Sequence, residues 1–285
     1  MKNDCFEQQA ELQAPARHDN QAHRALFSLP PITLSDSTAL TSTTLPTQRV
    51  VTGDVEIDAV LWLREVISTG QADLIRKAKE AAARIKTPLE DLEKKYSAWL
   101  RRAHPGNWVA VLSSIGFADL DRFAEQSIKE AIRRHEAHAR FGEGDAIFND
   151  TPAEEFCIKA LKGLRVPKGG IFLDAAKVDA RFDALLGHRP VTLDDCLSEL
   201  RYWNELYWMR NAVGTCDHAE QVSARDDYVF RCLARIPPRD IAEAARTLDY
   251  LIAFDRMRSG HTPLILFNLI GAPKPYSPEG TSDGQ

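Results

Sequence analysis

Apolar residues recur every three or four positions through most of the chain, which is the spacing that places them on one face of an α-helix. The stretch DVEIDAVLWLREVISTG shows this pattern, and Gly70 stands where such a helix ends. No segment alternates apolar and polar residues between hairpin turns, as a half-buried strand does. The sequence therefore predicts an all-α protein, a multi-helix bundle of about nine to ten helices.

The two ends of the chain lack the helical pattern. Residues 1–51 are polar and rich in Ser, Thr and Pro, and residues 271–285 contain three prolines and three glycines. Such segments bury too little apolar surface to offset the entropy lost on ordering, so we expect a flexible N-terminal arm and a disordered C-terminal tail. Between them, the loop at 142–152 divides an N-terminal helical group, 52–141, from a C-terminal group, 151–270. One continuous bundle is the alternative.

Three threonines mark predicted helix starts. Thr87 and Thr151 each precede a proline and stand three residues before a glutamate, which is the pattern of a capping box. Thr192 precedes another helix with a weaker form of the same signal.

Composition places the chain among ordinary globular proteins. Its 285 residues are 44% hydrophobic, and the net charge of −5 gives no overall attraction to nucleic acid. The five cysteines form no Cys-x-x-Cys pair, which indicates free thiols in a reducing compartment. The N-terminus lacks the apolar core of a signal peptide, and no apolar run is long enough to span a bilayer. We expect a cytoplasmic protein with no membrane partner.

A local basic surface is the feature that favours DNA. Residues 71–102 hold nine basic and five acidic side chains, a local charge of +4, on two predicted helices joined by a Thr-Pro turn. This arrangement resembles a helix-turn-helix whose cations contact phosphates. Solvated helix faces are the simpler interpretation. The candidate residues are Arg76, Lys77, Lys79, Lys94, Lys95, Arg101 and Arg102.

His135, Glu136 and His138 raise the question of a metal site. Zinc proteases place two histidines four positions apart on a helix with the glutamate as base, whereas these histidines are three apart. A pair at that spacing shares a metal only when a second helix supplies matching ligands, and the chain has no second such pair. We therefore predict a solvated basic face and no cofactor, with His135 and His138 as the alternative metal ligands.

The stretch MRNAVGTCDH resembles the motif of HEPN ribonucleases, which are all-helical. The resemblance implies that Arg210 stabilises phosphate charge, Asn211 supports it, and His218 acts as acid or base. Two departures count against it. Seven residues separate the arginine from the histidine, more than the family has, and Gly214 interrupts the helix. A ribonuclease is therefore the alternative function.

The densest aromatic cluster lies in RYWNELYWMR. Trp203 and Tyr207 extend the apolar stripe of their helix and are expected in the core. Tyr202 and Trp208 point to other faces, so they either pack against a second layer or form a partner-binding surface.

The stretch ALFSLPPITLSDSTALTSTTLPTQRVVTGDVEIDAVLWLREVISTGQADL resembles KlcB-type accessory proteins of broad-host-range conjugative plasmids, from their host-inhibition and stable-inheritance regions. The resemblance covers about a quarter of the chain and transfers no functional residue. It implies a non-enzymatic role in plasmid maintenance or regulation. We therefore expect a helical interaction protein of a mobile element that binds a protein partner or DNA, with self-association left open.

Overall fold

The computed structural model describes residues 17–33 and 45–272. Within them it has 12 α-helices, ten of them at least seven residues long, and no strand. The prediction of an all-α protein is confirmed. The rest of the predicted arm (1–16 and 34–44) and the tail from 273 lie outside the described residues. None of the described helices is long and apolar enough to cross a membrane.

The described helices follow one another along the chain in this order. They are α1 (Gln21–Leu26), α2 (Val55–Ile67), α3 (Ala72–Ala82), α4 (Leu89–Ala103), α5 (Trp108–Leu112), α6 (Leu120–Phe141), α7 (Pro152–Ala160), α8 (Ala175–Asp183), α9 (Leu193–Val213), α10 (Glu220–Cys232), α11 (Ile241–Ala253) and α12 (Thr262–Leu269).

The described chain forms two compact units, and both are discontinuous in sequence. Unit 1 comprises 17–29, 149–207 and 217–272, and unit 2 comprises 30–33, 45–148 and 208–216. The break at Phe148 lies inside the loop where the sequence predicts a seam. The sequence did not predict two features of this division. The N-terminal segment belongs to unit 1, and the C-terminal end of α9 belongs to unit 2.

Unit 2 is built around α2. The C-terminal half of α2, with Leu63 and Ile67, packs against apolar residues of α3 and α6. Its N-terminal half, with Ile57 and Val60, packs against α4 and Phe117. The helices α3 and α4 therefore belong to two different core clusters that share α2.

A close approach between α2 and α6 depends on Gly70. This residue lies in the turn after α2 and has a φ of 72°, a conformation that costs little only for glycine. A Cβ atom there would overlap the side chain of Ala131 and lie 2.7 Å from the carbonyl oxygen of Ser127. Glycine is thus required both by the backbone and by the packing.

We predict that Gly70→Ala destabilises the protein by about 2–4 kcal/mol, because left-handed strain and overpacking add. Gly116→Ala is the matched control, since Gly116 has the same φ of 72° and no atom lies within 4 Å of the position that its methyl group would take. It should cost only about 1 kcal/mol. Urea unfolding followed by circular dichroism measures both, and equal losses would contradict the packing argument.

Unit 1 is built around the first turns of α9, whose buried residues include Leu193, Cys196, Leu197 and Leu200. Side chains of α7, α8, α10, α11 and α12 surround them. Tyr228 and Val229 of α10 are fully buried in the same cluster. Because α9 is covered on several sides, its apolar residues are not confined to one stripe.

Two of the three predicted threonine caps are present in the structure. Thr151 forms the predicted capping box: its backbone N–H donates to Glu154, and its hydroxyl accepts from the Glu154 N–H. Thr192 makes an equivalent pair of bonds with Asp195. The prediction for Thr87 is wrong, because its hydroxyl donates to the Glu56 carboxylate and α4 begins without a side-chain cap.

Residues 17–33 differ from the predicted flexible arm. They contain α1, and His23 and Phe27 are buried in unit 1. The Asp195 carboxylate accepts hydrogen bonds from the Asn20 backbone N–H and from Arg24 Nε. A short polar segment stays disordered only when no surface of the fold binds it. Here α9, which lies far away in the sequence, supplies that surface.

Glu199 is the centre of a fully buried polar network in unit 1. Its carboxylate pairs with Arg225 through two bonds of 2.7 Å and lies 2.6 Å from His23 Nε2. Trp203 Nε1 donates to it at 3.1 Å. Burial by itself raises the pKa of Glu199, but the charge and hydrogen bonds of Arg225, together with those of His23, outweigh burial and lower that pKa.

We predict that Glu199→Gln destabilises the protein by about 3–5 kcal/mol at pH 7, because it leaves the Arg225 cation buried without a counter-charge. The lowered pKa means that the contribution of Glu199 is complete above its ordinary value of 4.5 and is lost as the pH falls through the folded-state value. The difference between variant and wild type should therefore shrink in acid.

Urea unfolding at pH 7 and at about pH 3 measures this effect, because the loss lies below the ordinary pKa of the carboxyl group. Glu155→Gln is the control, since Glu155 is exposed on α7 in the same unit. A Glu199→Gln variant as stable as the control at pH 7 would contradict the central role of the network.

Candidate functional site

The residues predicted for a ribonuclease have structural contacts. Arg210 is buried, and its Nε donates to the carbonyl oxygen of Ile147 at 2.8 Å. Asn211 Nδ2 donates to the carbonyl oxygen of Cys216 at 2.8 Å and so closes the turn that follows α9. The ring of His218 packs beside Tyr207 in unit 1. We therefore assign Arg210 and Asn211 to the support of unit 2.

We predict that Arg210→Ala lowers the stability of the protein by about 1–3 kcal/mol, because a buried carbonyl loses its donor. Thermal unfolding measures the change. Arg133→Ala is the control: this half-buried arginine lies over the Trp208 ring at 4.8 Å and should contribute about 1 kcal/mol or less. An Arg210→Ala variant with unchanged stability would make Arg210 a candidate functional residue again.

The histidines of α6 do not form a metal site with neighbouring side chains. His135 is exposed, and His138 Nδ1 lies 3.3 Å from the carbonyl oxygen of Gly142, at the end of the helix. Glu136 is paired with Arg140. Across the described part of the chain, no three His, Cys, Asp or Glu side chains are grouped so that they could hold a metal ion.

The seven basic candidates lie on two helices whose buried residues belong to different core clusters. Those of α3 pack with the C-terminal half of α2 and those of α4 with its N-terminal half, although Leu89 of α4 also packs against the first cluster. Three of the seven are in ion pairs, namely Arg76 with Asp73 and Glu80, Lys79 with Asp121, and Lys94 with Asp91. Lys77, Lys95, Arg101 and Arg102 are exposed.

Tyr202 packs against a second layer, which is one of the two alternatives that the sequence left open for it. Its ring is buried between Phe27 and Trp203, and its hydroxyl donates to Thr151 Oγ1 at 2.8 Å. The second layer that covers this face of α9 is α1, which the sequence pattern did not predict. Trp208 differs, since it keeps 40% of its surface exposed in unit 2.

The described structure holds a groove in unit 1 that sequence patterns missed. It lies between the segment 166–175 and α10 and has a volume of about 550 Å³. Its apolar lining residues are Val166, Ile171, Phe172, Leu173, Ala175, Val178 and Ala224. His218, Glu220, Ser223, Asp227 and Arg231 form the polar wall.

Ile171 and Phe172 form the rim of this groove. They are 81% and 75% exposed, which is unusual for two consecutive large apolar side chains. The turn before them is closed by a bond from the Gly170 N–H to the Pro167 carbonyl oxygen at 2.9 Å. After them, Asp174 caps the N-terminus of α8. The rim is therefore fixed by hydrogen bonds at both ends, and the side chains of Ile171 and Phe172 are exposed on this fixed segment.

The polar wall of the groove is acidic. Glu220 and Asp227 are exposed carboxylates, whereas the cation of Arg231 is neutralised by Asp179, with Nη2 and Oδ1 2.5 Å apart. The groove thus combines an apolar lining with negative charge. The sequence does contain one indication of this groove. Ile171 and Phe172 stand between a Gly-Gly turn and a helix cap, so these two apolar residues are not part of a helical face.

No protein-family model, no curated protein and no solved structure matches this chain. The basis for a function is therefore the chemistry of its own residues.

Proposed function

We propose that the chain is a non-enzymatic accessory protein that works by binding a segment of a partner protein in the groove between 166–175 and α10. The observation that carries the proposal is the exposed pair Ile171 and Phe172. Large apolar side chains held at the rim of an open groove are typical of protein–protein contacts, whereas a small-molecule site encloses most of its ligand.

The chemistry of the groove favours a partner segment with both apolar and basic side chains. Apolar side chains would cover Ile171 and Phe172 and so remove them from water. Lysine or arginine side chains would lie against the carboxylates of Glu220 and Asp227, and complementary charge increases both specificity and association rate.

The biological setting of this proposal is a plasmid or another mobile element, where the protein would act in maintenance or regulation. The resemblance of residues 25–74 to KlcB-type proteins is the support for that setting. We place the protein in the cytoplasm, where a reducing environment suits free thiols such as those of Cys157, Cys196 and Cys232. We do not propose a ribonuclease or a DNA-binding protein, because Arg210 is buried and three of the seven basic candidates are in ion pairs with side chains of the protein itself.

We predict that the groove binds a short peptide of alternating Leu and Lys about tenfold or more tightly than a peptide in which Glu replaces every Lys. Fluorescence anisotropy of the labelled peptides measures both affinities. Replacing Ile171 and Phe172 together by Ser should weaken binding of the Lys peptide by a similar factor, and so should Asp227→Lys.

Ile241→Ser is the matched control, because Ile241 is an exposed apolar residue of unit 1 outside the groove. Its affinity for the Lys peptide should equal that of the wild type. Equal affinities for the two peptides, or an unchanged affinity in the rim variant, would refute the proposal.

A further inference from the structure

A second groove lies in unit 2, between α4 and α5, and has a volume of about 650 Å³. One side is a single face of α4, because its residues recur at helical spacing over three turns. These residues are Glu90, Glu93, Lys94, Ser97, Ala98 and Arg101.

The other side of this groove is apolar and exposed. Val111, Leu112 and Ile115 line it, and Trp108 and Val109 continue the apolar surface on α5. Trp108 and Ile115 are each 70% exposed. An apolar surface of this extent beside a groove is typical of a protein interface.

The face of α4 has opposite charges at its two ends. Glu90 and Arg101 are both exposed, and their separation of eleven positions corresponds to about 16 Å along the helix axis. Between them lie the small side chains of Ser97 and Ala98. Glu93, near the acidic end, accepts a bond from the Ala118 backbone N–H at 2.9 Å.

This pattern is complementary to itself when the helix is reversed. If a second α4 lies antiparallel on the first, residue 90 of each copy stands opposite residue 101 of the other, so a two-fold axis creates two Glu–Arg pairs at once. In this register Ser97 of one copy lies opposite Lys94 of the other, and Ala98 lies opposite Glu93, so a small side chain meets a long one at each of these positions.

We propose that unit 2 forms a two-fold symmetric homodimer in which α4 packs antiparallel on α4 of a second copy, with the apolar residues of α5 covering its sides. The ion pairs set the register, and the burial of Trp108, Leu112 and Ile115 supplies most of the affinity. This inference is independent of the peptide groove in unit 1, so either can fail without the other.

Sedimentation equilibrium at concentrations up to about 50 µM tests the proposal, and the wild type should be dimeric there. Glu90→Arg alone and Arg101→Glu alone each place like charges opposite one another twice. Each should weaken the dimer about tenfold or more. The double variant Glu90→Arg, Arg101→Glu restores both pairs and should dimerise like the wild type.

Mixing the two single variants gives a sharper result. In a heterodimer of one Glu90→Arg chain and one Arg101→Glu chain, the two substituted side chains face each other and so do the two unchanged ones. Both pairs then join opposite charges, so the mixture should dimerise like the wild type although neither variant does so alone. A mixture that dimerises no better than either variant alone would contradict the antiparallel register. Lys77→Glu is the control, because Lys77 is an exposed cation of α3 outside the groove, and it should leave the dimer unchanged.

Circular dichroism of each variant establishes that the helices are intact, as expected for substitutions of exposed side chains. A wild type that is monomeric at the highest concentration overturns the proposal. So does a double variant that stays monomeric when the wild type is dimeric, because Glu90 and Arg101 would then not face each other.

Discussion

The buried contact between Glu199 and Arg225 is the interaction that holds unit 1 together. Two charges without access to water are costly unless each is paired, and here the pairing is bidentate. The aromatic rings of Phe27 and Phe182 lie within 5 Å of the guanidinium and exclude solvent from it. Because His23 completes the network, α1 is part of the core and not an appendage.

The two binding surfaces that we propose follow from what the two cores leave uncovered. In unit 1, a short turn anchored at both ends carries Ile171 and Phe172 outside the core, beside exposed carboxylates. In unit 2, α5 has five residues, none of them buried, so its apolar side chains remain open to a partner. Each surface belongs to one unit, and the chemistry expected of its partner differs: a basic apolar segment for one and a second copy for the other.

The sequence predicted the candidate site poorly because its strongest motifs have structural roles. Arg210 and Asn211 match part of a catalytic motif in the sequence, but the side chains of both donate hydrogen bonds to backbone carbonyl groups. In the sequence pattern, Tyr202 lies outside the apolar stripe of α9. It is buried because α1 packs against that face of the helix, a contact that the sequence pattern does not reveal. Ile171 and Phe172 were missed, since two apolar residues in a loop carry no periodicity from which exposure can be read.

Local sequence is enough to set the helical class, most helix positions and the cap at Thr151, because each depends on residues within a few positions of one another. It does not reveal that residues 17–29 join the core of α9, that Gly70 lies against α6, or that the buried residues of α3 and α4 belong to different clusters. These features arise only in the folded chain. They depend on contacts between residues far apart in sequence, where a carboxylate such as Asp195 or Glu199 finds donors that no local pattern reveals.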